Sequence, residues 1–211
     1  MPEEPAPRKR SPDHYFSAET EAASRERRIR VAVRGLAFEL WTDAGMFSPG
    51  HVDRGSLILA KELQLRAGAR VLDWGAGYGF LGIVAARLWP DCQVTMVEVN
   101  QRAAALAERN ARELRLANAR VITGPAPEAL GDEAYDIVIS NPPLRAGRAA
   151  VEGLIGDAAE RLTPGGELWL VVPTSKGAKR FLAYMAERLG ETRTVDVTGG
   201  YRVLWGRKAG A

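Results

Sequence analysis

Cysteine is nearly missing from this chain, with Cys92 standing alone among 211 residues. A single thiol excludes an intramolecular disulfide and any zinc cluster built on cysteines. Histidine is equally scarce, and His14 and His51 lie too far apart to form a ligand pair on one helix. No metal is expected. Long apolar runs are missing too. The longest are soon broken by charge or glycine, and Met1-Pro2-Glu3-Glu4-Pro5 lacks the apolar segment of a secretory signal. The expectation is a cytoplasmic protein with no membrane span. There is no large excess of one charge either: a net charge of +3 permits an anionic partner such as nucleic acid without demanding one.

What is present is a globular composition, 46% apolar and 26% charged, in a length that fits one domain with at most a small appendage. Residues 1–12 carry four prolines and the basic triplet Arg8-Lys9-Arg10, and read as a flexible tail. Residues 13–55 read as an N-terminal extension packing on a core formed by 56–211. Within the extension, the charged, alanine-containing stretch from Ser17 to about Arg34 predicts a helix, and Leu36 to Phe47 alternates like a strand. Ser48-Pro49-Gly50 turns the chain, and Ser56 is expected to cap a helix bearing Leu57, Ile58, Leu59 and Leu63.

From Ala69 onward short apolar runs alternate with helical patterns, the signature of βαβ units and a mostly parallel sheet. Strands are predicted at Arg70 to Trp74, Gln93 to Val99, Ala119 to Thr123, Tyr135 to Ser140, Glu167 to Val172, Thr192 to Thr198 and Tyr201 to Trp205. Helices fall between them: one from Gln101 to Arg115 capped by Asn100, one around Val151 to Leu162 stopped by Thr163-Pro164-Gly165-Gly166, and one carrying Ala178, Phe181, Leu182, Met185 and Leu189. Only Gly199-Gly200 joins the last two strands, so they form an antiparallel hairpin. The predicted fold is α/β, a seven-stranded, mostly parallel, Rossmann-like sheet ending in that hairpin. This is the arrangement of class I methyltransferases, whereas a nicotinamide-binding domain continues with parallel strands.

Between the first core strand and its helix lies Asp73-Trp74-Gly75-Ala76-Gly77-Tyr78-Gly79. Glycine there lets the backbone turn sharply and approach a ligand. Gly77, Gly79 and Gly82 also satisfy the dinucleotide spacing G-x-G-x-x-G, so the glycines alone do not separate NAD from S-adenosylmethionine. Asp73 shifts the balance, because a carboxylate at the strand end accepts a bond from an ammonium and repels a pyrophosphate. Glu98, closing the second core strand, is placed to accept both ribose hydroxyls of an adenosine, a feature both cofactors share. Ala126, within Gly124-Pro125-Ala126-Pro127, offers a backbone N–H beside the adenine. Gly75, Ala76, Gly77, Gly79 and Val99 complete this predicted cofactor set.

The fourth core strand ends in Ser140-Asn141-Pro142-Pro143. Two prolines remove two N–H donors and fix φ, leaving the Pro142 carbonyl and the Asn141 side-chain oxygen as convergent acceptors. An exocyclic base amine carries two N–H donors and a lone pair delocalised into its ring. Holding both hydrogens biases the nitrogen toward tetrahedral geometry and aims its lone pair at an electrophilic methyl. Asn141, Pro142 and Pro143 are therefore the candidate catalytic residues, and Asn141 belongs to the predicted cofactor set as well.

At these motifs the sequence resembles the small-methyltransferase domain of the 16S rRNA guanine-N2 methyltransferase family, including its archaeal single-domain relatives. The resemblance runs over nearly all of residues 14–206. It is carried by His14-Tyr15-Phe16-Ser17, Met46-Phe47-Ser48, Asp53-Arg54-Gly55-Ser56, the glycine loop, Val97-Glu98-Val99-Asn100, Asn141 to Gly147, and Gly200 to Leu204. It implies that Phe47, Ser48, Asp53 and Ser56 line the methionine end of the cofactor pocket. Two departures bear on the substrate. Bacterial rRNA members carry a second, degenerate half before the catalytic one, for which 211 residues leave no room. Leu144 stands where amino-methyltransferases usually have an aromatic ring that stacks on the flipped base. Tyr15, Phe16, Trp41 and Tyr201 are the candidate replacement platforms.

The expected function is transfer of a methyl group from S-adenosylmethionine to an exocyclic amine of an RNA base, guanine in rRNA first. Arg145 and Arg148, directly after the motif, suit a phosphate-bearing substrate that also meets Leu144, Tyr15 and Phe16. The same chemistry suits an adenine amine or a protein glutamine amide. From other classes, a non-catalytic RNA-binding or assembly protein of this fold is the alternative, and a nicotinamide oxidoreductase a distant third. Neither membrane nor metal is expected as a partner.

Overall fold

The computed structural model describes residues 23–44 and 50–210. Its first elements are strands β1 (Arg27–Val33) and β2 (Leu36–Thr42), paired antiparallel in a separate two-stranded sheet. The helix predicted to reach Arg34 is thus overturned for its described part. Ile29, Val31 and Val33 alternate with exposed residues at period two, and Arg34-Gly35, both at positive φ, form the tight turn that a hairpin twist requires. Three β-branched residues on one face prevail over the helix-like charge content.

Helix α1 (Arg54–Glu62) follows. Its N-cap is Asp53, not the expected Ser56. The Asp53 carboxylate accepts the N–H of Ser56 at 2.9 Å, so Ser56 sits inside the first turn as the capped residue. The core then alternates as predicted, apart from the unforeseen single turn α4: β3 (Arg70–Trp74), α2 (Phe80–Leu88), β4 (Gln93–Glu98), α3 (Gln101–Glu113), β5 (Ala119–Thr123), α4 (Ala126–Ala129), β6 (Tyr135–Ser140), α5 (Arg148–Arg161), β7 (Leu162–Pro173), α6 (Ala178–Leu189), β8 (Gly190–Thr198) and β9 (Tyr201–Lys208). Asn100 caps α3 by accepting the Ala103 N–H. Strand β7 begins earlier than expected, since its register against β6 shifts between Tyr135 and Ile137 and takes in the glycine turn.

The seven-stranded sheet has the order β5-β4-β3-β6-β7-β9-β8. Strands β3 to β7 pair in parallel, and β9 runs antiparallel to both β7 and β8. Alternate strand residues feed two apolar layers, as the two-residue period dictates. Val71, Ile137, Ile139, Val171 and Val203 pack with α1, α2 and the β1–β2 hairpin. Leu72, Val138, Leu168, Leu170 and Leu204 pack with α5 and α6 on the other face. Asn110 of α3 ties the hairpin in: its amide donates to the carbonyls of Trp41 and Tyr78, and its oxygen accepts the Trp41 N–H. The chain proceeds outward from β3 through β4 and β5, then returns to place β6 on β3's other side. That reversal opens a crevice at the carboxyl ends of β3 and β6, where sheets of this kind bind ligands. Among the described residues no helix is long and apolar enough to cross a membrane.

Candidate active site

The crevice is a cavity of about 480 Å³, within the range of small-molecule sites. Its floor is the turn after β3. Gly75 and Gly77 adopt φ of +74° and +58°, which a residue with a β-carbon rarely adopts. A β-carbon at either would meet nothing within 4 Å, so the backbone lies bare toward the cavity. The N–H groups of Gly75 and Ala76 donate to the Val97 carbonyl, and that of Gly77 to Oε2 of Glu98, which fixes the turn against the end of β4. Glu98 also accepts the Asn100 N–H through Oε1. Burial raises its pKa against these stabilising bonds.

Asp73 is almost wholly enclosed, and its Oδ2 accepts the Gly82 N–H at 2.7 Å. Desolvation pushes its pKa up to about 7, opposed by that bond and reinforced by the nearby Glu98. The Ser140 hydroxyl donates to the Trp74 carbonyl at 2.7 Å, joining the ends of β6 and β3. Asn141 is thereby held against the glycine turn. Its Nδ2 donates to Oδ2 of Asp53 at 2.7 Å and to Oγ of Ser56 at 2.9 Å. The carboxylate has no proton to give, so the amide must present its nitrogen to Asp53 and its oxygen elsewhere. Pro142 follows, buried, and its carbonyl accepts no backbone bond among the described residues, whereas that of Pro143 is taken by Ala146.

Among the described residues, acidic side chains are the only charged groups in the cavity wall: Asp53, Asp73, Glu98 and Asp157 contribute, and no lysine or arginine does. A dinucleotide would place its pyrophosphate against these carboxylates at a high electrostatic cost. A nucleoside bearing a cationic amino-acid arm is complementary instead.

Comparison with known proteins decides the lineage. The sequence profile of the methyltransferase small domain matches residues 37–205. The chain belongs to that family. Among its relatives in the methyltransferase small domain family is ribosomal RNA small subunit methyltransferase C of Pseudomonas aeruginosa (strain UCBPP-PA14), 38% identical over 175 residues, covering 78% of this chain and 49% of the relative. The Bacillus subtilis (strain 168) protein YbxB is 29% identical over 200 residues, 93% of this chain and 98% of YbxB. The T. thermophilus 16S rRNA N2 methyltransferase RsmC, solved in complex with AdoMet and guanosine, superposes with a TM-score of 0.74 at 27% identity, over 87% of this chain and 50% of that one. The chain spans about half the length of the methyltransferase C relatives it matches.

Of the residues singled out from the sequence, Asp53, Ser56, Asp73, Gly75, Ala76, Gly77, Glu98, Val99, Ala126, Asn141, Pro142 and Pro143 line this one cavity. Ala126 opens α4, where a first-turn N–H lacks an intrahelical acceptor. Gly79 lies outside the lining: at φ +91° it starts α2, and a β-carbon there would press on Ala107, Ile83 and Met96. Leu144 packs against the α5 and α6 layer, and Arg145 and Arg148 are exposed beside the Asn-Pro-Pro turn. Trp41 is not a free platform, since Arg28 and Arg109 flank its ring at 4.6 and 3.8 Å and its indole N–H donates to Glu113. Tyr201 covers Gly55 beside Asp53. Tyr15, Phe16, Phe47 and Ser48 lie outside the described residues.

Sequence reasoning missed the wall that α5 contributes, Ala150, Gly153, Leu154 and Asp157. Asp157 follows Leu154 by three positions and so flanks the apolar stripe of α5, the one sign of its place. Burial raises its pKa, and Glu160 and Glu128 add to the shift.

Proposed function

We propose that this protein is an S-adenosylmethionine-dependent methyltransferase that modifies the exocyclic amine of an RNA base, guanine in ribosomal RNA being the first candidate. The observation that carries the reading is the Asn141 carboxamide, locked by both of its N–H donors, with its oxygen accepting no bond among the described residues, in the wall of an acidic, nucleoside-sized cavity. Family membership and the likeness to rRNA methyltransferases support it.

The residues fit the cofactor. Asp73 meets its ammonium, Glu98 its ribose hydroxyls, and the Ala126 N–H its adenine, while Gly75 and Gly77 leave room for the close approach of the chain. Glu98 keeps acceptor capacity for the hydroxyls, because its two carboxylate oxygens offer about four acceptor sites and the N–H groups of Gly77, Asn100 and Val99 do not take them all. When bound, S-adenosylmethionine supplies a methyl group on a sulfonium, which passes to the amine nitrogen as the thioether keeps the C–S electron pair. Asn141 Oδ1 and the Pro142 carbonyl accept the two amine hydrogens, favour the pyramidal nitrogen, and stabilise positive charge as it develops there. The methylated ammonium is acidic and loses its proton to water, so no buried base is required. The expected partner is RNA, ribosomal by the relatives' substrate, and the cytoplasm is the expected compartment.

The decisive experiment incubates the protein and isotopically labelled methyl donor with total RNA lacking its own modifications, then locates the label by mass spectrometry. Label on a guanine N2 supports the proposal. Label on a ring nitrogen, a ribose hydroxyl or carbon, or on protein alone, sinks it.

A further inference from the structure

Asp53 is more than a helix cap. Its Oδ2 accepts two N–H groups at once, from Ser56 at 2.9 Å and from the side chain of Asn141 at 2.7 Å, and Asp53 is itself buried. The second amide hydrogen of Asn141 goes to the Ser56 hydroxyl at 2.9 Å. Both donors of the carboxamide are therefore consumed by the cap and first turn of α1, 88 and 85 residues away in sequence. A flipped amide would set its oxygen against a buried carboxylate with no proton between them, and the resulting repulsion excludes that rotamer.

The arrangement also has an electronic consequence. A hydrogen bond to a full negative charge draws the amide N–H toward the anion and shifts density onto the amide oxygen. The chain of contacts is then target amine to Oδ1, through the planar amide, to the Asp53 carboxylate. As the amine nitrogen gains positive charge during methyl transfer, the negative charge at the far end of that chain stabilises it. The ground-state amine is neutral and gains much less.

We propose that Asp53 is a positioning residue for the methyl transfer, orienting the Asn141 carboxamide and polarising it toward the target amine. The proposal rests on the methyltransferase reading above, and it assigns Asp53 a role distinct from holding the methionine end of the cofactor.

Asp53→Asn separates the effects, because asparagine is as good an N-cap as aspartate and keeps an acceptor for Ser56 and Asn141 while removing the charge. In single-turnover assays with saturating donor, we expect Asp53→Asn to lower the methylation rate about tenfold, and Asp53→Ala, which loses the lock as well, by about a hundredfold. Cofactor affinity should fall less than the rate, since Asp53 is one of four carboxylates in the cavity wall, and the RNA KM should stay within twofold. In an Asn141→Ala background, Asp53→Asn should have no further effect, since the route runs through the amide. A large loss of cofactor affinity with an unchanged rate, or equal losses in both backgrounds, overturns the proposal. A readout independent of activity is the ¹⁵N spectrum of the protein, with the Asn141 carboxamide assigned by its loss in Asn141→Ala. Its protons should exchange with solvent more slowly than those of exposed asparagines, and shift in Asp53→Asn. Rapid exchange in the parent overturns the lock even if the protein methylates RNA. A protected amide in a protein that methylates no RNA instead removes the methyltransferase reading and, with it, the catalytic part of the proposal.

Discussion

At the scale of single residues, the proposed chemistry rests on Asn141 and Asp73. On the proposed mechanism, removing the Asn141 carboxamide takes away an acceptor whose value is greatest in the transition state. Asn141→Ala should lower the methylation rate by about 100-fold or more. Donor affinity and the melting temperature should change little, because the Ser56 N–H still satisfies Asp53. A near-parental rate in a quench-flow assay would remove Asn141 from the mechanism.

Asp73 makes the site pH-dependent. Its folded-state pKa of about 7 lies above the ordinary 3.8, so between those values the folded protein holds a proton that the unfolded chain has released. Its contribution to stability therefore falls as pH rises from about 4 to about 7, and levels off above. A cationic ligand beside the carboxylate favours the ionised form. Donor affinity should consequently climb with pH across the upper part of that window, with release of a proton on binding. Calorimetry at pH 6 in two buffers of different ionisation enthalpy measures that proton, and Asp73→Asn should abolish the release. Buffer-independent enthalpies for the parent would place the shifted group elsewhere.

The elements show two uses of glycine that one motif conceals. Gly77 has open space where a β-carbon would go, so Gly77→Val fills cavity rather than core and should abolish donor binding at a cost in stability of about 1–2 kcal/mol from its positive φ. Gly82 belongs to α2, and a β-carbon there would lie 2.4 Å from Met96 Cγ. Gly82→Ala should thus destabilise the fold by roughly 1–3 kcal/mol through overpacking between α2 and β4, and weaken binding only through the bond to Asp73. Denaturant melts paired with donor titrations distinguish the two variants. A Gly77→Val protein that binds donor normally would remove the loop from the site. The elements also show where periodicity is ambiguous. β3, β5 and β6 are legible to the residue because apolar runs flanked by glycine, asparagine and charge admit one solution. β1 is not, since its arginines suit a helix surface equally well and its partner β2 supplies the deciding hydrogen bonds.

At the scale of the whole molecule, the reversal of strand order puts Asn-Pro-Pro and the glycine turn on neighbouring strands, with Arg145 and Arg148 exposed beside them. Arg148 meets Glu152 at 3.6 Å, and Arg180 of α6 shares that carboxylate at 3.0 Å, so basic groups from two helices gather there. Such exposed pairs are weak and give way to phosphates at little cost. Arg145→Glu with Arg148→Glu should weaken RNA binding and flatten its dependence on salt concentration, while donor affinity stays the same. An unchanged salt slope in filter-binding titrations would return both arginines to ordinary solvated positions.

The sequence by itself determined the alternation of strands and helices, the closing hairpin and the glycine turn, because each rests on local φ preferences and on a period of two or 3.6 residues. It also marked Asp73, Glu98 and Asn141, whose chemistry is unusual at strand ends. The tertiary structure alone decided what those groups do to one another. Asp53 and Asn141 are 88 residues apart in the chain and 2.7 Å apart in space. The orientation of the amide, the acidic groups completed by Asp157 and the raised pKa of Asp73 follow from packing α1, α5 and β6 around one crevice. Hydrogen bonds and desolvation act between neighbours in space, and no spacing along the chain encodes them.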